Sequence, residues 1–195
     1  MNLAELTQEL ATELRRPDKI AEIRGWVRQV VIQCHNATEF QRDLVEEIIT
    51  IPSPTPVMKL TQPDRLRKII ALNPCDAYGN LLATNNPQGG YLMVAPTDIY
   101  TQSGHQMTDV AYIAGPTITI RSSSVPTHIF IQYYQTPDVR NEVTSTWIMQ
   151  QFPELIKSGV RARYYQASNN QQAAAETQLF TADLVELVSH FGGVN

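Results

Sequence analysis

Cys34 and His35 are the adjacent pair with the most obvious chemistry in this 195-residue chain, because an imidazole beside a thiol can take its proton and leave a nucleophilic thiolate. Neighbours on a helix point about 100° apart, however, so the two cannot face one substrate. His105, His128 and His190 stand at no metal-ligand spacing and read as solvated or capping groups. Asp98, Asp109, Glu46 and Glu47 are acids of the kind that pair for proton transfer, but without a pocket their presence assigns no chemistry. The chain has no Gly-rich phosphate loop ending in Gly-Lys-Ser/Thr, no Gly-x-Gly-x-x-Gly, no His-Glu-x-x-His and no Gly-x-Ser-x-Gly elbow. Its two cysteines, Cys34 and Cys75, are too few for a disulfide framework and lack the C-x-x-C spacing of zinc or redox sites, so both read as reduced and buried. The expectation is a chain with no catalytic, cofactor-binding or metal-binding residues.

The elements follow from periodicity. Leu3, Leu6, Leu10 and Leu14 form one stripe of a helix that Pro17 ends, and Ile20, Ile23, Val27, Val30 or Val31 and Cys34 form the stripe of a second, ending by Asn36. Phe40 to Ile49 reads as a strand entering an extended loop, since Pro52, Pro54 and Pro56 forbid helix beyond it. Val57–Leu60 and Leu66–Leu72 are further strands, the latter closed by Asn73-Pro74; turn signals then crowd residues 73–107. Val110–Ile113, Thr117–Arg121 and Thr127–Tyr134 read as a three-stranded antiparallel meander, with Ile129, Ile131 and Tyr133 on one face. Helical spacing returns after Asp138: Phe152-Pro153-Glu154 has the form of a helix start, and Ala173, Thr177, Phe180, Leu184, Leu187 and Phe191 mark a terminal helix stopped by Gly192-Gly193. Helices, then strands, then helices, without alternation, predict an α+β fold.

Composition narrows the function classes. Charged residues make up only 17%, replaced by 16 Gln, 18 Thr and 10 Asn, a surface that meets protein neighbours at little desolvation cost. The net charge of −4 and the scatter of the small basic groups (Arg15, Arg16 and Lys19; Arg65, Arg67 and Lys68; Arg161 and Arg163) weigh against tight nucleic-acid binding. The N-terminus lacks the basic and apolar regions of a signal peptide, and no run approaches the roughly 18–20 apolar residues of a membrane helix, so a cytosolic origin and no membrane partner are expected.

The order of several motifs carries a resemblance. Ile23-Arg24-Gly25-Trp26-Val27-Arg28-Gln29-Val30, Phe40-Gln41-Arg42-Asp43-Leu44-Val45-Glu46-Glu47-Ile48-Ile49, Arg65-Leu66-Arg67-Lys68-Ile69, Tyr112 to Ile120, Ile131 to Pro137, Trp147 to Leu155 and a final helix rich in Ala, Glu and Gln follow one another. In that order, over nearly the whole chain, they resemble the head-to-tail adaptor proteins of tailed bacteriophages, the tail tubular protein A type of short-tailed phages. The link carrying Pro52, Pro54, Pro56 and Pro63 departs from the family's pattern. The resemblance implies a helical bundle from both chain ends, residues 1–38 and 139–195, with an antiparallel β domain, residues 39–138, inserted between. It implies a structural virion protein of the neck, made in the host bacterial cytoplasm, forming a twelvefold ring that joins the portal protein to the tail nozzle protein. A tail fibre is a further candidate partner, and genomic DNA would pass through unbound at ejection. Leu187, Phe191, Gly192, Gly193, Val194 and Asn195 are then expected at the portal, and Asn85, Asn86, Gln88, Gly89, Gln102 and His105 at the nozzle. The competing readings are a tail-completion or host-interaction module and, further off, a cell-wall hydrolase.

Overall fold

Asn2 starts the first helix. Its side chain accepts the Glu5 N–H at 2.9 Å while its own N–H donates to the Glu5 carboxylate at 2.9 Å, which satisfies two of the donors a helix start leaves open. The computed structural model describes residues 1–86, 89–99 and 107–192. It divides into two compact units, Met1–Asp43 with Thr136–Asn195, and Leu44–Gln135. Among the described residues, five α-helices and two sheets make an α+β fold.

In the first unit, α1 (Leu3–Glu13) buries Leu3, Leu6 and Leu10. Arg15, at a φ of 54°, turns the chain out of the helix, and Pro17–Lys19 forms a single 3-10 turn. α2 (Ile20–His35) buries Ile23, Val27, Val30, Val31 and Cys34, and ends at Asn36. α3 (Trp147–Gln151) is capped by Thr146, whose Oγ1 accepts the Met149 N–H at 3.3 Å. α4 (Pro153–Ala167) opens on a proline, whose fixed φ suits a first helical turn and which has no N–H to leave unbonded. α5 (Ala173–Phe191) contributes Phe180 and Leu187 to a core shared with Leu6, Val27, Ile148 and Val160. Gly159 makes the close approach of α4 possible: a Cβ there would stand 2.8 Å from both Val30 and Phe180. Lys157, buried, donates to Glu9 at 2.6 Å and Glu154 at 2.9 Å, and Arg161 bridges Glu13 and Glu176 at 2.9 and 3.0 Å. These pairs tie α4 to α1 and α5.

The second unit holds β1 (Leu44–Thr50), β2 (Val57–Thr61), β3 (Leu66–Cys75), β4 (Leu92–Met93), β5 (Val110–Ala114), β6 (Thr117–Arg121) and β7 (His128–Gln135). One sheet runs β1-β7-β3, all antiparallel, and the other β2-β6-β5-β4, in which only β4 is parallel to its neighbour. Ile129, Ile131 and Tyr133 are fully buried from one sheet, as are Ile118 and Ile120 from the other, in one core.

Two readings of the strands are corrected. The meander does not form: β5 and β6 pair, but β7 leaves for the other sheet, because the second edge of β6 is already taken by β2. Residues 122–127 give the chain room to cross. Nor does Asn73-Pro74 close β3, which continues to Cys75. The Pro74 carbonyl accepts the Leu82 N–H at 2.8 Å, on the side away from β7. A strand residue's N and C=O point the same way, so the hydrogen missing from Pro74 belongs to that outer edge and the ladder loses nothing.

A buried carboxylate ties the loops of this unit. Asp109, at a φ of 56°, accepts the Asn85 N–H at 2.9 Å, the Ser123 N–H at 2.9 Å and the Ser123 hydroxyl at 2.7 Å.

Candidate functional site

The last turn of α2 places His35 inside the first unit, and the 3-10 turn Gln41–Asp43 brings Asp43 back against it. His35 Nδ1 lies 2.9 Å from each Asp43 carboxylate oxygen, and the Trp147 indole N–H donates to Asp43 Oδ1 at 2.9 Å. Both His35 and Asp43 are buried. This triangle holds the start of α3 to the end of α2.

Around it the aromatic rings interlock. Trp147 meets Phe40 at 5.1 Å, Phe152 at 6.3 Å and Phe191 at 5.8 Å between centroids, and Phe152 meets Phe191 at 5.4 Å. Three of these pairs meet edge-on and Trp147–Phe191 is tilted; such pairs each contribute roughly 0.5–1.5 kcal/mol beyond their buried area. The Arg42 guanidinium lies over the Trp147 and Phe191 rings, at 5.2 and 5.6 Å, and donates to Gln151 Oε1 at 2.7 Å.

Beside this cluster the N-terminal turn of α4 and the C-terminal half of α5 leave a cleft of about 430 Å³. Its floor is apolar, from Phe152, Leu155, Leu187 and Phe191; Glu154, Asp183 and Glu186 stand at its rim. Glu154 is ion-paired to Lys157. A second, smaller recess of about 280 Å³ shares His190 and Phe191 with it and is lined as well by Arg42 and Trp147.

Of the residues expected at the portal, Leu187, Phe191 and Gly192 come together here. Leu187 is only 2% exposed and forms floor rather than a protruding contact. Gly192 ends α5, donating its N–H to the Val188 carbonyl at 2.8 Å, and bridges to Phe40. Gly193, Val194 and Asn195 lie outside the described residues. Of the residues expected at the nozzle, Gln88, Gln102 and His105 also lie outside them. Asn85 donates its N–H to Asp109 in the second unit, and the Gly89 N–H donates to the Asn86 carbonyl at 2.9 Å, with Gly89 at a φ of 75°.

Cys34 and His35 go to different surroundings. Burial pushes the Cys34 thiol up to about 12, far from a thiolate at neutral pH, whereas the His35 ring is held by Asp43. His128 shares a 2.9 Å hydrogen bond with the Thr127 hydroxyl, and His190 folds back on the Glu186 carbonyl at 3.1 Å. Asp43 is the functional-looking residue that periodicity missed: eight positions after His35, it reaches the ring only because the turn at 41–43 reverses the chain. Among the described residues, no group of three or more His, Cys, Asp or Glu side chains could hold a metal ion, and no helix is long and apolar enough to cross a membrane.

No protein-family model matches the chain, and no curated protein matches it in sequence.

Proposed function

We propose that the protein is a structural virion component, a ring-forming head-to-tail adaptor that joins the portal to the tail nozzle of a short-tailed bacteriophage and lets DNA pass without holding it. In this reading the two chain ends build a helical bundle and the middle of the chain an inserted antiparallel β domain. The observation that carries it is the sharing of cores along the chain: Leu3 and Leu187 belong to one, while Ile51 to Tyr133 supply another. Two separate cores of this kind support the reading.

The surface chemistry supports it. Ala175, Leu179, Ala182 and Val185 put an uncharged stripe on the exposed side of α5, with Leu179 46% and Val185 63% exposed. A ring needs one patch to meet a different patch on the next copy, and a stripe without charges serves that at little desolvation cost. The hydrolytic alternative would draw on Glu154, Asp183 and Glu186, but the apolar floor between them and the commitment of Glu154 to Lys157 favour docking over proton transfer.

Analytical ultracentrifugation and electron microscopy of the chain, alone and mixed with the portal protein of the same genome, test the proposal. An added ring of about twelve copies is expected. A portal that stays bare, or turnover of cell-wall polymer by the purified chain, would overturn it.

A further inference from the structure

We infer that the cleft beside α5 is a receptor for a short extended segment of a partner protein, one that places an apolar side chain on the cleft floor and a lysine or arginine beside it. The inference goes beyond the adaptor reading, because it fixes the chemistry of the occupant whatever assembly presents it.

The floor comes first. Leu155 and Leu187 close it from below, Phe152 and Phe191 wall it, and at about 430 Å³ it falls in the range of sites that enclose a ligand of several heavy groups. The rim decides the charge of the occupant. Asp183 and Glu186 stand one helical turn apart on α5, on one face. Neither is ion-paired among the described residues, in contrast to Glu154 across the cleft, which pairs with Lys157. Two uncompensated carboxylates above an apolar floor favour a cation at the mouth and repel an acidic segment.

The far end has the opposite sign. The smaller recess, which shares His190 and Phe191 with the cleft, is lined by Arg42, whose guanidinium is held over Trp147 and Phe191. Carboxylates thus stand beside one hollow and a guanidinium beside the next, and an extended peptide can reach both where a compact small molecule fills only one. A bound segment would run in one direction, its basic residue by Asp183 and Glu186 and an acidic group toward Arg42.

Fluorescence anisotropy with the full chain and a fluorescein-labelled peptide, Lys-Lys-Ser-Leu-Phe-Ser-Asp, tests this. Saturable binding is expected, weakening by about tenfold or more when Glu replaces both Lys, and likewise in the double variant Asp183→Lys/Glu186→Lys. It should also weaken between about 50 and 300 mM salt. Glu186 is exposed and Asp183 half-buried at the cleft rim, and an unchanged thermal melt confirms that the variant folds. Arg42→Ala should narrow the preference for this peptide over its reversed sequence. Equal binding of the Glu peptide, equal binding by the double variant, or no saturation with folded protein would each sink the inference. Concentration-dependent self-association that the peptide abolishes would assign the cleft to a second copy and overturn it as well. None of these outcomes depends on whether a ring forms on the portal, so this inference and the adaptor reading fail separately.

Discussion

Asp43 accepts from two partners that the chain brings from opposite directions: His35 Nδ1, 2.9 Å from both its oxygens, and the Trp147 indole N–H, 2.9 Å from Oδ1. The carboxylate is buried, so its loss removes bonds that water does not replace. Asp43→Ala is expected to cost about 3–5 kcal/mol and Asp43→Asn about 1–3 kcal/mol, read as a lower urea midpoint at unchanged slope. The emission of Trp147 should shift in both variants, since its donor bond is weakened or lost.

The same substitution should act with opposite signs at two glycines. Gly25, on α2, has open space where a Cβ would sit, so Gly25→Ala is expected to stabilise by about 0.5–1 kcal/mol through helix propensity and a less mobile unfolded chain. At Gly159 the added carbon would press on Val30 and Phe180 at 2.8 Å, and Gly159→Ala is expected to lose about 1–3 kcal/mol through overpacking. Paired thermal melts decide it.

Asp109 gives the second unit an acid limit. Burial alone pushes this carboxyl up, but the bonds from the Ser123 hydroxyl, the Ser123 N–H and the Asn85 N–H together outweigh it and hold the group below the ordinary carboxylate range. A carboxyl lowered on folding contributes stability that is complete above its unfolded value of about 3.9 and disappears as pH falls through the lower folded value. Asp109→Asn should be less stable than the parent at neutral pH, and the gap should shrink as the pH drops below about 4. Urea unfolding across that range measures it; a gap independent of pH would refute the assignment.

Both thiols should be silent in the native protein. Burial raises Cys34 to about 12 and also raises Cys75, where the neighbouring Asp76 adds to the effect. Ellman's reagent is expected to find essentially no reactive thiol until denaturant is added, and then 2.

Much of the fold is legible in local pattern. The leucine stripe of α1, the valine-rich stripe of α2 and the proline at the start of α4 each express an element that one stretch of chain specifies, and so does the alternation of Ile129, Ile131 and Tyr133. What was not legible depends on distant neighbours. β7 abandons β6 because β2 occupies that edge, and Pro74 is tolerated because Leu82 and not β7 lies on its nitrogen side. The site divides the same way. Leu187, Phe191 and Gly192 are readable as the end of a helix, but the cleft exists only because Phe152, which caps α4, and Leu155 within it lie opposite Leu187 and Phe191. No spacing rule relates residue 43 to residue 35 or 147.

Leu3 and Leu187 share a core across almost the full length of the polypeptide, and this sets an order of events during synthesis. The strands from Leu44 to Gln135 need only one another and can collapse while the ribosome is still working. α1 and α2 supply side chains to a core that stays incomplete, with apolar surface exposed, until α4 and α5 have been synthesised. The nascent N-terminal helices are thus the stretch that a holding chaperone would shield, and truncating α5 should harm solubility before it harms the β unit.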